Sequence, residues 1–334
     1  MRVLFVAGSY PPDVCGVGDY TSCLVAAMAQ QEVQAEVLTG QDWRPSAIPK
    51  LLKIVDSYNA DIIHIQYPTF GFHRHLGPQL LAILRPCVIT IHEVSQAHIL
   101  RQLSLYGFSL RAEKIIFTTE GEKRFAESWS PWISNKSTVI PIGVNIPLVE
   151  NLSRHSARDI IGYFGLIRPA KGLEQVIELA SILRKNKSNF SIRITGKVVH
   201  GHESYYSSLV ALSKDVPIEW CIDVDDHTLA NLIASCKFAY LPFPDGVSER
   251  RSTALAFMKA GVGIITTRGL QTPSYMDQAL YFASNPAEAF KIINELSINP
   301  EKLHELQLRT KELSQRYTWD KIAHQHIMLY RELL

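Results

Sequence analysis

The sequence predicts an α/β protein in which two Rossmann-like, doubly wound domains face one another across a cleft. Two observations predict this fold: apolar runs of strand length alternate with amphipathic helical patterns, and a polar interruption divides the alternation into two halves. Apolar strands separated by helices are typical of parallel sheets covered by helices. The chain has 334 residues, of which 46% are hydrophobic, so it can fill two cores.

Six apolar runs predict the strands of the first domain. They lie at residues 3–7, 35–38, 62–66, 87–91, 114–118 and 138–140. The alternation pauses near Pro141, passes through polar residues at 150–159 and restarts at Ile160. We therefore place the first domain at residues 1–148.

Five further runs predict the strands of the second domain, at residues 149–316. They lie at 160–164, 190–195, 218–221, 238–242 and 262–266. Residues 317–334 follow as a terminal helix. Its apolar residues lie close to helical i, i+3, i+4 spacing: Trp319, Ile322, Ala323, Ile327 and Tyr330. Such a helix needs a surface to cover, and we expect it to pack back on the first domain.

Composition excludes several classes of protein. The net charge is +2 and no long basic block occurs, which argues against nucleic acid as a partner. The five cysteines are odd in number and never spaced as Cys-x-x-Cys, which argues against a disulfide framework or a zinc site and favours a reducing cytosol. No apolar stretch reaches the length of a membrane span, so we expect a cytoplasmic protein with at most peripheral membrane contact, for example through Arg101 or Arg111.

Two segments of the second half, 165–172 and 248–251, lie where a predicted strand gives way to a predicted helix. A helix N-terminus offers unpaired N–H groups and the positive end of the helix dipole. Each segment also carries cations suited to phosphate: Arg168, Lys171, Arg250 and Arg251. The pair predicts one diphosphate held from two sides; the alternative is a solvated helix start with incidental charge.

The first strand leads into a glycine-containing loop and a helix predicted from about residue 17 to 30. Gly16 and Gly18 would let the backbone approach a ligand closely. A dinucleotide fingerprint needs a tighter turn and a third glycine, but Thr21 stands where that glycine belongs, which argues against NAD. Two interpretations stay open: the glycines serve only the turn, or they contact a sugar or an acceptor.

His92 ends an apolar strand, and the carboxyl end of a strand is where side chains reach a cleft. Its imidazole could donate a hydrogen bond to a sugar hydroxyl. The alternative is a structural histidine whose hydrogen bonds are made within the protein.

Three other motifs resemble metal ligands. The pairs His73-x-His75 and His200-x-His202 lie in polar loop sequence without supporting cysteines or aspartates, so we expect them to be solvated. The run 223–226 contains Asp-x-Asp, which could hold a divalent cation on a diphosphate. An amphipathic helix follows it, however, so Asp225 or Asp226 is predicted to be an N-cap.

Taken together, these segments resemble the retaining glycosyltransferases of the GT-B fold, specifically family 4. The resemblance covers nearly the whole chain, and the order and spacing of its parts are specific. Those parts are Gly16 and Gly18, Thr90-Ile91-His92, residues 140–145, Phe164-Gly165 with Lys171-Gly172, Leu241-Pro242, Ala260-Gly261 and Thr318-Trp319-Asp320.

The resemblance implies transfer of a sugar from a nucleoside-diphosphate donor, with retention of anomeric configuration and with no metal or cofactor. The first domain would meet the acceptor, a glycan, a lipid-linked sugar or a small molecule, and the second would hold the donor. By analogy, Lys171 and Arg168 neutralise the diphosphate, His92 reaches the sugar, and Glu249 accepts sugar hydroxyls. The remaining donor-binding residues would be Gly16, Gly18, Gly165, Ser248, Arg250, Arg251, Ser252 and Thr253.

The chain departs from the family at two places. The family usually has two glutamates eight residues apart, where this chain has Ser248 and Ala256; Glu249 can replace the first only with a shift of one residue. Leu166 stands where an arginine is usual, so Arg168 would be a displaced substitute. Three alternatives stay open: a nucleotide-sugar epimerase, a phosphorylase, and a catalytically silent nucleotide-sugar-binding subunit.

Overall fold

The computed structural model describes residues 1–13, 15–95, 97–144 and 158–334. The chain divides into two compact units: Met1–Gly143 with Tyr317–Leu334, and Val144–Arg316. The domain boundary predicted between residues 148 and 149 lies outside the described residues. So do Asn145, at the end of the 140–145 motif, and residues 150–157 of the polar segment.

Within the described residues, each unit contains one six-stranded sheet, and every strand pairing is parallel. The first sheet consists of β1 (Arg2–Val6), β2 (Gln34–Leu38), β3 (Ile62–Tyr67), β4 (Val88–Ile91), β5 (Lys114–Phe117) and β6 (Ser137–Val139). The second consists of β7 (Arg158–Ile167), β8 (Ser191–Val198), β9 (Ile218–Ile222), β10 (Cys236–Leu241), β11 (Gly263–Thr266) and β12 (Tyr281–Phe282). The predicted fold class is therefore confirmed in each unit, and β12 is an addition to the predicted strands.

Helices connect the strands of both sheets, as parallel pairing requires. In chain order they are α1 (Gly16–Gln30), α2 (Ile48–Ser57), α3 (Gly77–Leu84), α4 (Ile99–Arg111), α5 (Glu120–Trp129), α6 (Leu173–Lys185), α7 (Glu203–Leu212), α8 (Asp226–Ala234), α9 (Ser252–Ala260), α10 (Pro286–Ser297), α11 (Pro300–Ser314) and α12 (Trp319–Arg331).

Both faces of the first sheet are buried because the side chains of each strand alternate between two cores. Leu4 and Val6 of β1 pack in the core that also contains residues of α2 to α5. Val3 and Phe5 face the opposite core, which α1 and α12 cover. The apolar stripe of α12 supplies Ile322, Ala323, Ile327 and Tyr330 to this second core, and its Trp319 packs against it.

The Trp319 ring packs against Gly143 and Tyr20. A Cβ atom at Gly143 would lie 2.4 Å from the Trp319 ring, so a side chain at that position is excluded. The same ring meets Tyr20 of α1 edge-on, with centroids 5.2 Å apart. The glycine of the 140–145 motif and the tryptophan of the closing motif are therefore one packing unit within the first compact unit.

The strand β7 is longer than the sequence predicts. The predicted strand ends at residue 164 and leaves Gly165 in a loop, whereas β7 includes Gly165 and ends at Ile167. Gly165 pairs with Gly196 of β8, and the pairing continues to Ile167 and Val198. A Cβ atom on Gly196 would lie 1.8 Å from the carbonyl oxygen of Gly165, so the close approach requires glycine there. The loop that precedes α6 is accordingly short, from Arg168 to Gly172.

Candidate nucleotide-sugar site and family comparison

The strand order of the second sheet brings the two predicted phosphate segments together. The order is β12-β11-β10-β7-β8-β9, so the chain starts at β7, builds outward on one side and then returns to its other side at β10. Ligands of open parallel sheets bind where the order reverses, beyond the carboxyl ends of the strands. The loops that follow β7 and β10 are the two that carry Lys171 and Arg251.

The loop after β7 is held in one conformation by two contacts. Gly172 caps α6 with a positive φ of 78°, and a Cβ atom there would lie 2.0 Å from the carbonyl oxygen of Pro242. The hydroxyl of the buried Tyr163 donates a hydrogen bond of 3.0 Å to the carbonyl of Lys171. Lys171 is thereby fixed immediately before the free N–H groups of α6.

Three cations and one carboxylate interact around this loop. The pKa of Lys171 is lowered, first by burial and then by the positive charges of Arg168 and Arg251, while Asp245 opposes the shift. Arg251 pairs with Asp245, and its guanidinium lies 4.8 Å from the centroid of the Phe243 ring. We call Arg168, Lys171, Arg251 and Asp245 the cationic cluster.

Arg251 has an unused donor. Its Nε atom is buried and has no hydrogen-bond partner among the residues that the structure describes. A buried donor without a partner costs free energy of about 1 to 3 kcal/mol, more for a charged group. An anion bound to the cluster would supply the missing acceptor and would also offset the excess positive charge.

Other predicted donor residues of the second unit lie at the end of the loop after β10 and at the start of α9. Ser248 and Glu249 are buried, and the hydroxyl of Tyr275 donates a hydrogen bond of 2.5 Å to Glu249 Oε1. Arg250 lies 3.4 Å from the Gln271 side chain and not in the cationic cluster. Ser252 and Thr253 open α9, as predicted, and Ser252 is exposed.

Both positions at which the family would have its second glutamate hold apolar side chains. Ala256 and Phe257 are both buried in α9. Phe257 fills space beside β7, because a Cβ atom at Gly162 would lie 2.8 Å from its ring. This part of the helix is therefore committed to packing.

In the first sheet the order reverses between β1 and β3, which places the loop after β1 at the corresponding point. Gly16 begins α1, and its Cβ position is open. At Gly18 a Cβ atom would lie 2.9 Å from the carbonyl oxygen of Ser9, so this glycine allows close packing of the chain on itself. Of the two, only Gly16 leaves room for a ligand in the described structure.

His92 follows β4 and is half-buried. Its Nε2 atom lies 2.8 Å from Oε1 of Gln66, and its ring meets Tyr20 edge-on with centroids 4.7 Å apart. Burial, followed by the neighbouring His326, lowers its pKa to about 3. His92 is therefore neutral near pH 7, and the donor predicted for a sugar hydroxyl is already used by Gln66.

The prediction that the Asp-x-Asp run supplies a helix N-cap is confirmed. Asp225 is the N-cap of α8, and its side chain accepts hydrogen bonds from the backbone N–H groups of His227 and Thr228. His73 and His75 lie with ring centroids 6.0 Å apart. Within the ranges that the structure describes, no group of three or more His, Cys, Asp or Glu side chains could hold a metal ion.

Four contributors escaped the sequence analysis: Asp245, Tyr163, Tyr275 and Gln66. The first three act on predicted site residues from positions 6, 8 and 26 residues away, which no local pattern connects. Gln66 left a signal, because His64 and Gln66 are polar residues at alternate positions of an otherwise apolar strand. Such residues must face a common side and find partners there.

Comparisons with known proteins agree with this architecture. Residues 33–147 match the model of Glycosyltransferase Family 4. The predicted resemblance to that family is confirmed. A search of curated protein sequences finds no match.

Among solved structures, the Anabaena protein HepE in complex with UDP is 15% identical, with a TM-score of 0.74, and the match covers 99% of this chain and 100% of HepE. The sucrose-phosphate synthase of Thermosynechococcus elongatus is 15% identical, with a TM-score of 0.71 and coverage of 100% and 99%. A candidate UDP-N-acetylglucosamine 2-epimerase from Listeria monocytogenes is 11% identical, with a TM-score of 0.64 and coverage of 98% and 94%. At these identities the likeness shows the fold, which is GT-B with two Rossmann-like units.

In the described part of the chain, none of the helices is both long and apolar enough to cross a bilayer.

Proposed function

We propose that the protein is a retaining glycosyltransferase that transfers a sugar from a nucleoside-diphosphate donor without a metal ion. The observation that carries the proposal is the cationic cluster, in which a buried guanidinium donor lacks an acceptor. Three cations beside the N-terminus of α6 suit a diphosphate better than any neutral ligand. UDP is the first nucleotide to test, because the similar HepE was crystallised with UDP and with UDP-glucose.

The chemistry of the proposed reaction suggests a role for each of the three cations of the cluster. The glycosidic bond breaks with positive charge developing on the sugar and negative charge on the departing phosphate. Fixed cations stabilise that separated state more than the ground state, which lowers the barrier. Lys171 and Arg251 would neutralise the diphosphate, with Arg168 as an additional cation, and the departing phosphate would receive the proton of the acceptor.

Other residues are assigned by the family resemblance. His92 would contact the transferred sugar, and Glu249, oriented by Tyr275, would accept sugar hydroxyls. Gly16, Gly165, Ser248, Arg250, Ser252 and Thr253 would line the donor, while Gly18 allows Ser9 to pack closely against the start of α1. A glycan or lipid-linked acceptor fits the family, with peripheral membrane contact through Arg101 or Arg111. The five cysteines are all unpaired, which supports a cytoplasmic location.

The first experiment is thermal stabilisation by UDP, GDP, ADP, TDP, CMP and NAD, since a ligand at 100 times its Kd adds roughly 2.7 kcal/mol. A selective shift with one nucleoside diphosphate names the donor class, and a shift with NAD alone contradicts the proposal. Turnover of the corresponding sugar nucleotide then tests the role of Lys171. Lys171→Ala should lose about 100-fold in rate, or about 3 kcal/mol.

The exposed Lys185 at the end of α6 offers a matched control, and Lys185→Ala should retain the wild-type rate. Unchanged turnover in Lys171→Ala would exclude Lys171 from the mechanism. Proton NMR of the product reports whether the anomeric configuration is retained, and a chelator tests independence of metal.

A catalytically silent binding subunit is the second candidate, favoured by the buried Ala256 and Phe257 in place of a glutamate. It would bind the sugar nucleotide and leave it intact with every acceptor. An epimerase would convert the sugar nucleotide without an acceptor, and a phosphorylase would consume inorganic phosphate. Product analysis therefore separates the three enzymatic candidates from one another and from the silent subunit.

A further inference from the structure

A run of polar side chains lies inside the first sheet, where apolar residues would be expected. His64 and Gln66 of β3 and Thr90 of β4 are each fully buried. His64 and Gln66 are two residues apart and therefore share one face of the sheet, and Gln66 pairs in register with Thr90. Burial of these groups costs free energy unless each finds a partner.

The partners form one continuous chain of hydrogen bonds. The hydroxyl of Tyr330, on α12, lies 2.5 Å from His64 Nδ1, and His64 Nε2 lies 2.7 Å from Thr90 Oγ1. The amide nitrogen of Gln66 lies 3.3 Å from the same His64 Nε2. The amide oxygen of Gln66 lies 2.8 Å from His92 Nε2. This chain of hydrogen bonds begins at Tyr330 on α12 and ends at His92, which follows β4.

The Gln66 amide determines which atom donates and which accepts in its hydrogen bond with His92. With the Gln66 amide in this orientation, its oxygen can only accept, so His92 Nε2 carries the proton. Nδ1 of a neutral imidazole then has a lone pair and no proton. Among the residues that the structure describes, no hydrogen bond reaches His92 Nδ1. His92 is also the half-buried end of the chain, whereas His64, Gln66, Thr90 and Tyr330 are buried completely.

We propose that Gln66 is a positioning residue that holds His92 in its Nε2–H tautomer, so that Nδ1 accepts a hydrogen bond from a ligand hydroxyl. Gln66 is fully buried and acts only through His92. The role of the ligand hydroxyl rests on the proposed function, because there His92 contacts the transferred sugar. The tautomer itself does not depend on that function. His92 then selects for a hydroxyl donor and against a group that only accepts.

The tautomer can be measured directly by long-range ¹⁵N–¹H NMR of the imidazole nitrogens, with His92→Asn used to assign the signals. The wild type should show His92 as the Nε2–H tautomer. Gln66→Leu removes the acceptor and should produce a mixture of tautomers. Thr118→Val is the matched control, because Thr118 is equally buried but bonds the backbone carbonyl of His92, 3.3 Å away, and not its ring. The Nδ1–H tautomer in the wild type, or an unchanged tautomer in Gln66→Leu, overturns the proposal.

Gln66→Glu keeps the acceptor and covers the case in which the leucine variant does not fold. The Nε2–H tautomer should persist, and the pKa of His92 should rise because a carboxylate favours the imidazolium. An unchanged pKa of His92 in this variant contradicts the contact with residue 66.

Ligand affinity supplies the functional readout. UDP-glucose should bind about 5- to 10-fold more weakly to Gln66→Leu than to the wild type, whereas UDP, which lacks the sugar, should bind equally well to both. An equal loss for the two ligands would indicate a merely structural role for Gln66 and would contradict the proposal. If the wild type binds neither nucleotide, the proposed function fails, and the NMR result alone decides the role of Gln66.

Discussion

The two units bury polar groups in opposite ways. In the first unit, His64, Gln66, Thr90 and Tyr330 are neutral groups that satisfy one another inside the sheet. In the second unit, the cationic cluster gathers three positive charges around Asp245 and leaves a buried Nε of Arg251 without an acceptor. The first arrangement satisfies its own hydrogen bonds, whereas the second has a buried donor that an anion would satisfy.

This difference distinguishes orientation from affinity. A satisfied neutral network fixes the geometry and the tautomer of its half-buried member, but it contributes little attraction for a charged ligand. A cluster of unbalanced cations attracts phosphate strongly, at a cost to the free protein that binding removes. The proposed sugar transfer would use both, because a sugar would be oriented while the diphosphate is stabilised as it leaves.

The largest effect that separates the two arrangements is expected from pH. Burial lowers the pKa of His326 to about 4 and that of His92 to about 3, and it lowers that of His64 well below 6.5. The unfolded chain therefore binds more protons than the folded protein below pH 6.5, so stability falls as the pH falls. Each such histidine should cost about 2 kcal/mol between pH 6.5 and 5.

Urea unfolding at pH 7 and pH 5 measures this loss. His326→Met removes one titrating group of similar size, so its stability should fall by about 2 kcal/mol less than that of the wild type over this range. His200→Gln, at an exposed position of the second unit, is the control and should follow the wild type. Equal pH slopes for wild type and His326→Met would contradict a neutral imidazole at this buried position.

The next effect tests the cationic cluster with two arginines in similar surroundings. Arg251 pairs with Asp245 and stacks on Phe243, while Arg268 pairs with Asp277 and stacks on Phe282. Their exposure differs, since the Arg251 side chain is 21% exposed and that of Arg268 is 47% exposed. Only Arg251 lies in the cluster.

Arg251→Gln should weaken UDP binding by about 10- to 100-fold, because a charge-assisted hydrogen bond to phosphate is lost. Arg268→Gln should leave the affinity within about 2-fold of the wild type, as expected for an exposed pair. Isothermal titration calorimetry measures both constants. Equal losses in the two variants would mean that general surface charge, and not the cluster, attracts the nucleotide.

Much of the fold follows from local patterns in the sequence. The apolar runs predict eleven of the strands in the described residues, because parallel strands buried on both faces are apolar throughout. The twelfth, β12, has only Tyr281 and Phe282, too few residues to form a pattern. The sequence pattern places Gly165 in a loop because glycine usually marks a turn, whereas in the structure Gly165 lies in β7 and pairs with Gly196, whose lack of a side chain allows the two strands to approach closely.

The candidate site follows from the sequence only in part. The cations at the helix starts are visible because strand, loop and helix are consecutive in the chain. The contact between His64 and Tyr330 joins residues 266 positions apart, and no pattern of one helix or one strand predicts it. Whether Arg250 or Arg251 joins Lys171 was equally undetermined, because their order along a loop does not fix which side chain turns toward β7.

The smallest effect is expected at Asp225, in the Asp-x-Asp run. Its carboxylate has a structural role in its own helix, unlike the carboxylate of Asp245 in the cationic cluster. Asp225 satisfies two backbone N–H groups at the start of α8, and Thr228 donates its hydroxyl to the same side chain at 2.6 Å. Asp225→Ala should therefore lower the melting temperature by about 2 to 4 °C, as expected for the loss of one N-cap. Asp225→Asn should retain most of the stability, because an amide oxygen can still accept from the backbone.

Nucleotide affinity should be the same for Asp225→Ala and the wild type, with and without EDTA, because the carboxylate is used within its own helix. Differential scanning fluorimetry and titration with UDP, each in the presence of EDTA or Mn²⁺, measure the two quantities. A loss of affinity that appears only when Mn²⁺ is present would assign Asp225 to a metal site. It would also mean that the second unit neutralises the diphosphate with a divalent cation in addition to Lys171 and Arg251.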